Sequence, residues 1–305
     1  MRYFKELLSK LADDGKFVCV GLDSDFQKIP LCIWGGSPIP SPEEVASDPN
    51  AAMLVAQAVL LFNQMIVDAT GDLVCAFKLN SSFYEQLGPE GWLVMRSTAE
   101  HIHTMFPDVI VIWDCKRGDI DNSNLGYVRA MDYLRADALT VHNYLGSQAM
   151  KPFLDRTDKG IFVLCRTSNK GAEEIQGLPI HTGVGAVPLY VGMAEIIRDE
   201  WNGYGNVGVV APATYPDELH MVRRTVGDMP ILIPGYGAQG GELEAAIAAG
   251  KNSLGRGMIV NSSRGIIFAS KGENFAEAAR MATIQMDAKI RTCLGLAGPI
   301  AGGVE

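Results

Sequence analysis

Residues 109–121 read Val-Ile-Val-Ile-Trp-Asp-Cys-Lys-Arg-Gly-Asp-Ile-Asp. Five apolar residues in succession give way at once to Asp114, Lys116 and Asp119. An unbroken apolar run of this length reads as a strand buried on both faces, as in a parallel sheet. Residues i and i+2 of a strand point to the same side, so Asp114 and Lys116 face one way together. Asp119 follows in the loop beyond the strand's C-terminal end. Packing does not call for charges at the mouth of a buried strand. Burial there shifts pKa values, and opposite charges hold each other ionised. This stretch is the candidate chemical centre.

Similar runs recur on either side of it. They are Phe17–Leu22, Leu73–Leu79, Asp137–Val141, Gly160–Arg166, Val207–Ala211, Pro230–Pro234 and Gly257–Val260. With Val109–Asp114 they make eight. Helical patterns lie between and after them, at 50–69, 89–105, 122–135, 146–156, 188–202, 216–227, 240–250 and 274–293. Strands alternating with helices imply parallel β/α units, and eight of them close an α/β barrel of the (β/α)8, or TIM, type. An open doubly wound sheet would carry G-x-G-x-x-G after its first strand. The chain has Gly21-Leu22-Asp23-Ser24-Asp25 there instead.

The 305 residues are read as one barrel domain, 1–305, preceded by an amphipathic helix within 1–15 that aligns Phe4, Leu7, Leu8 and Leu11. Residues 27–50, with Pro30, Pro38, Pro40, Pro42 and Pro49, predict a long irregular insertion after the first strand. A second loop is expected at 177–187, and a frayed tail at 295–305. The net charge of −9 argues against nonspecific nucleic-acid binding. Six cysteines with no C-x-x-C spacing suggest reduced thiols in a cytoplasmic protein. No signal-peptide pattern opens the chain. The apolar stretch 51–67 is broken by Gln57, Asn63 and Gln64, which favours a buried helix over a membrane span.

A barrel builds its active site where the strands end. Polar residues collect at those ends: Asp23 and Asp25, Lys78 and Asn80, Asp114, Lys116 and Asp119, Thr140 and His142, Arg166 to Asn169, and Thr214. The seventh strand ends in P-G-Y-G-A-Q-G-G, residues 234–241, and the eighth in N-S-S-R-G, residues 261–265. Glycine-rich turns expose backbone N–H groups, and barrels commonly bind phosphate at these two loops. Arg264 offers a two-pronged donor for phosphate, and Gln239 can bridge to the rest of a ligand. A single histidine at a strand end, His142, is read as structural. Two acids and two lysines, Lys78, Asp114, Lys116 and Asp119, alternate in sign. A lysine between the carboxylates already supplies the positive charge that Mg²⁺ would bring, and no Cys/His spacing fits zinc. No metal or other cofactor is therefore expected.

The motifs together are recognisable. D-C-K-R-G-D-I at 114–120 resembles the D-x-K-x-x-D-I signature of the orotidine 5′-phosphate decarboxylase family. F-K-L-N at 77–80, R-T-S-N-K-G-A at 166–172 and the two phosphate loops are similar to that family's other motifs, and the Pro-rich insertion suggests its longer bacterial branch. The resemblance implies decarboxylation of orotidine 5′-phosphate to uridine 5′-phosphate in pyrimidine biosynthesis. It implies Lys116, Asp114, Asp119 and Lys78 as catalytic residues, with Lys116 protonating C6. Asp23 would bind a ribose hydroxyl, and Ser168 the pyrimidine. Gln239 and Arg264 would hold the phosphate, and Gly240 and Ser263 would line the substrate site. Asp119 and Ser123 would reach the neighbouring subunit's site, which implies a homodimer with shared active sites. Two positions depart from the short-form pattern: loop 8 has Ser262-Ser263-Arg264 for Val-Gly-Arg, and Asp121 stands in place of proline.

Two other readings compete. One is a Mg²⁺-dependent sugar-phosphate decarboxylase or aldolase of the same superfamily. The other is a noncatalytic barrel that binds a phosphate ligand. A Schiff-base lyase using Lys78 or Lys116 is disfavoured, because neighbouring carboxylates raise a lysine pKa.

Overall fold

The computed structural model describes residues 2–182, 185–235, 243–296 and 298. Among these, eight parallel strands close a barrel. They are β1 (Val18–Gly21), β2 (Ala76–Asn80), β3 (Ile110–Arg117), β4 (Ala138–Val141), β5 (Gly160–Leu164), β8 (Val207–Val210), β9 (Ile231–Ile233) and β10 (Met258–Ser262). β6 (Pro179–Thr182) and β7 (Gly185–Pro188) form a separate antiparallel pair. Each barrel strand coincides with one of the apolar runs, because a strand walled by helices is apolar on both faces. Val18↔Val260, Cys19↔Asn261 and Val20↔Ser262 pair β1 with β10 and complete the ring.

The two faces of the strands bury different cores. Outward side chains pack with the helices: Val55, Val59, Phe62 and Ile66 of helix Pro49–Thr70 are fully buried there. That helix is long and apolar enough to cross a membrane by length and composition, and here it packs onto the barrel wall. Its Asn63 lies inside the core, where it accepts from Ser24 Oγ at 2.6 Å and donates to Tyr84 and Thr98.

Inward side chains form a second cluster that includes Cys19, Ala76, Ile112, Ala138, Phe162 and Ile259. Helix Phe4–Asp13 contributes Phe4 and Leu11 to it, with Leu7 and Leu8 alongside. The helix therefore plugs one end of the barrel. Phe4 meets Phe162 edge to face, with centroids 5.7 Å apart. Gly160 leaves room for the Phe4 ring, which a Cβ there would strike. Arg2 fastens the plug to Asp137 at the start of β4 through Nε at 2.9 Å.

Two expectations are corrected. Residues 27–50 are not an irregular loop. They hold 3-10 turns at Phe26–Lys28 and Leu31–Trp34 and a helix at Pro42–Ser47. Pro42 and Pro49 sit at helix starts, where a missing N–H costs nothing, and Ser41 with Glu44 makes a capping box. Trp34 is buried and donates to Ile29 O. Residues 177–187 hold most of the β6–β7 hairpin, paired from Pro179↔Pro188 to Thr182↔Gly185. The tail begins in order: Gly295 takes a left-handed conformation after helix Phe275–Leu294, and Leu296 N–H reaches Arg291 O at 3.0 Å. Most residues beyond lie outside the described ones.

Candidate active site

Alternate residues of a barrel strand point inward. One parity carries Lys78 and Asn80 on β2, Asp114 on β3, Thr140 on β4, Leu164 on β5, Val210 on β8, Leu232 on β9 and Asn261 on β10. All of these line one cavity of about 280 Å³ at the strands' C-terminal ends. Leu164, Val210 and Leu232 give it an apolar wall. Asp23, Lys116, Thr167, Ser168, Ser263 and Arg264 complete its polar side.

Four charges run in a line across this layer. Lys78 Nζ lies 3.3 Å from Asp23 Oδ1 and 2.9 Å from Asp114 Oδ2. Lys116 Nζ lies 2.7 Å from Asp114 Oδ1. Burial would push the Asp114 carboxyl up, but the two lysines outweigh it and hold it well below the usual carboxylate range. Burial would likewise lower Lys78; the carboxylates of Asp114 and Asp23 hold it well above the usual lysine value. Lys78 is 5% exposed at its side chain and Lys116 49%, so the first is a fixed internal cation and the second faces the open cavity.

The backbone that presents Lys116 is irregular. The β3–β4 register shifts between Trp113 and Arg117, and Lys116 takes a φ of 47°. A left-handed conformation at a residue with a Cβ is strained and persists only where its surroundings hold it. Thr140 does so: its Oγ1 accepts from Lys116 N–H at 2.9 Å and donates to Asp114 Oδ1 at 2.9 Å.

The structure joins Asp23, rather than Asp119, to Lys78, Asp114 and Lys116. Asp119 and Ser123 do not line this cavity. Asp119 is held from behind by Asn124, whose Oδ1 accepts from Asp119 N–H at 2.9 Å and whose Nδ2 donates to Asp119 O and to Ala149 O. Asp25 stays outside as well, capping the turn Phe26–Lys28 and pairing with Lys28. His142 is structural: its Nε2 sits 3.0 Å from Gly118 O, under a glycine whose Cβ would strike the ring. Arg264 is exposed, with no ion pair among the described residues, at the first turn of helix Arg264–Ile267. Gln239 and Gly240 lie outside the described residues.

Arg166 braces the loop that carries Ser168. Nearly buried, it pairs with Glu218 and Glu173 and stacks near Tyr190 and Tyr215. Gln176 Oε1 receives Thr167 N–H at 2.9 Å in the same network. Thr140 and Asn261 stand among the polar residues at the strand ends without a role of their own in the sequence reading, which does not single out Asn124. Inward parity on the strands points Thr140 and Asn261 toward the cavity; nothing local marks Asn124.

A model of the orotidine 5′-phosphate decarboxylase / HUMPS family matches residues 18–282. The chain belongs to that family. Membership extends across the whole barrel. An orotidine 5′-phosphate decarboxylase of Thermomicrobium roseum is 43% identical over 284 residues, which cover 92% of each chain. One from Cupriavidus necator is 41% identical over 286 residues, covering 93% of this chain and 96% of that one. The structure of Leishmania donovani OMP decarboxylase superposes with a TM-score of 0.76 at 30% identity, covering 97% of this chain and 100% of that one. The family motif D-x-K-x-x-D-I is the stretch from Asp114 to Ile120, at the end of β3 and in the loop after it.

Proposed function

We propose that this chain decarboxylates orotidine 5′-phosphate to uridine 5′-phosphate and CO₂, a step of pyrimidine biosynthesis. The carrying observation is the Asp114–Lys116 pair, 2.7 Å apart at the cavity mouth, backed by Lys78. Breaking the bond from C6 to the carboxylate leaves its electron pair on C6, in an orbital that the ring does not delocalise. A protein without an electron sink must stabilise that pair electrostatically. Lys116 supplies the nearest cation to the open cavity and donates an Nζ proton to C6 as CO₂ departs; solvent then reprotonates the amine. Asp114 keeps Lys116 in place and repels the substrate carboxylate. Asp23 accepts from a ribose hydroxyl and Lys78 donates to one, Ser168 binds the pyrimidine, and Arg264, Ser263, Gln239 and Gly240 bind the phosphate.

No cofactor enters this scheme. The Lys78 ammonium stands between the carboxylates of Asp23 and Asp114, where a divalent cation would otherwise sit, and this weighs against the Mg²⁺-dependent sugar-phosphate reading. We also infer a homodimer with shared sites. Asp119 and Ser123 stand outside their own cavity, and Ile120 and Leu125 beside them are exposed. The six free thiols fit a cytoplasmic setting.

The test is the ultraviolet absorbance of orotidine 5′-phosphate with purified protein and EDTA. The expected result is a fall as uridine 5′-phosphate forms, and its loss in Lys116→Ala with the fold intact. No change with wild-type protein, or full activity in Lys116→Ala, overturns the reading. For the dimer, mixing inactive Lys116→Ala with inactive Asp119→Ala should restore turnover in heterodimers; no recovery after subunit exchange refutes shared sites.

A further inference from the structure

We propose that Thr140 is a positioning residue for decarboxylation, acting through both Asp114 and Lys116. This rests on the function proposed above and adds a residue to it. Between the pairs Trp113↔Leu139 and Arg117↔Val141, β3 has three residues and β4 has one. β3 therefore carries two residues more than the ladder can pair. A bulge of this kind re-aims a side chain and leaves backbone groups in need of a partner. The Lys116 N–H is one such group, and Thr140 Oγ1 accepts it.

A threonine hydroxyl has one proton. With Lys116 N–H occupying its acceptor side, the proton goes to Asp114 Oδ1. That same oxygen receives the Lys116 ammonium. The three residues form a closed circuit: Asp114 Oδ1 to Lys116 Nζ, along Lys116 to its backbone N–H, to Thr140 Oγ1, and back to Asp114 Oδ1. Thr140 is 1% exposed, so water does not substitute for the hydroxyl. Its χ1 is restricted by β-branching, which fixes the oxygen on the inward face. The hydroxyl holds the strained turn that lifts Lys116 into the cavity and orients the carboxylate that Lys116 grips.

The experiment compares Thr140→Val, which keeps shape and removes the hydroxyl, with Thr140→Ser, which keeps the hydroxyl. Expected for Thr140→Val is a kcat lower by roughly 10- to 100-fold, the scale of one hydrogen bond to a charged group, with KM changed less than about threefold. Thr140→Ser should recover kcat to within about threefold of wild type. A Thr140→Val enzyme with wild-type kcat, or a Thr140→Ser enzyme as slow as Thr140→Val, overturns the proposal. A second readout does not depend on turnover: the acetylation rate of Lys116, read by mass spectrometry at pH 8. Losing the grip of Asp114 on Lys116 Nζ, one hydrogen bond between charged groups, should raise it about tenfold in Thr140→Val and leave it unchanged in Thr140→Ser. Equal rates in all three proteins overturn the proposal. If wild-type protein turns over no orotidine 5′-phosphate, the functional reading fails, and the acetylation rates still decide the role of Thr140.

Discussion

Ser263 Oγ occupies the space in which a Cβ on Gly21 would stand. Gly21 ends β1, and Ser263 precedes Arg264 at the proposed phosphate end of the cavity. The absence of a side chain at one position thus makes room for the other, across the seam where β1 meets β10.

Gly21→Ala should therefore push Ser263 and Arg264 off their positions and raise KM for orotidine 5′-phosphate roughly tenfold, with a smaller effect on kcat. Adding Ser263→Gly clears the space, and the double variant should regain part of the lost affinity, short of what the Ser263 hydroxyl contributes to the phosphate. A double variant no better than Gly21→Ala would show that the two residues are not coupled in this way.

Asn124→Ala removes the side chain that grips Asp119 from both sides of its backbone. Stability should fall by about 2 kcal/mol, because buried backbone groups lose their partners. kcat/KM should fall at least about tenfold, since Asp119 is no longer aimed. Urea unfolding and steady-state kinetics separate the two effects. A destabilised enzyme with unchanged kcat/KM would reduce Asn124 to a packing role.

Asp137 should make the plugged end of the barrel sensitive to acid. Burial would raise its pKa, but hydrogen bonds from His103 and Arg2 prevail and push it down to about 2. The unfolded value is about 3.9. The carboxylate's contribution is complete above that value and disappears as pH falls towards about 2. Asp137→Asn should cost about 2–3 kcal/mol at pH 7, and the gap to wild type should narrow to about 1 kcal/mol near pH 2.5. Urea unfolding at both pH values checks this; a gap independent of pH would contradict it.

Asp287 works in the opposite direction. It is buried on helix Phe275–Leu294, and its Oδ1 has no hydrogen-bond partner among the described residues. Burial pushes its pKa up to about 6, against the pull of Arg291 and Lys16. Its ionisation costs nothing below about pH 4, and the cost grows as pH rises through about 6. Asp287→Asn should raise Tm by about 2 °C or more at pH 8 and leave it unchanged at pH 4. A lower Tm at pH 8 would mean that the charge is stabilising.

The sequence by itself determined the eight strands, their direction and the end at which the chemistry lies. Each of those features is a local pattern: an apolar run sets a strand buried on both faces, and the polar residues that stop it mark the mouth. It also marked Asp114 and Lys116 as close in the chain, but the bulge at Lys116, rather than strand parity, is what aims the lysine. Residues 27–50 misled for a physical reason. Proline breaks a helix interior but starts a helix, and only the position of Ser41, Pro42 and Glu44 within a capped turn distinguishes the cases. Pairing between neighbouring strands decided the rest. It brought Asp23 to Lys78, 55 residues away, and left Asp119 facing outward with Asn124 behind it. It set Thr140 against a bulge in the neighbouring strand, which no pattern along a single strand records. Contacts between distant residues depend on the register of paired strands, and that exists only once the strands have met.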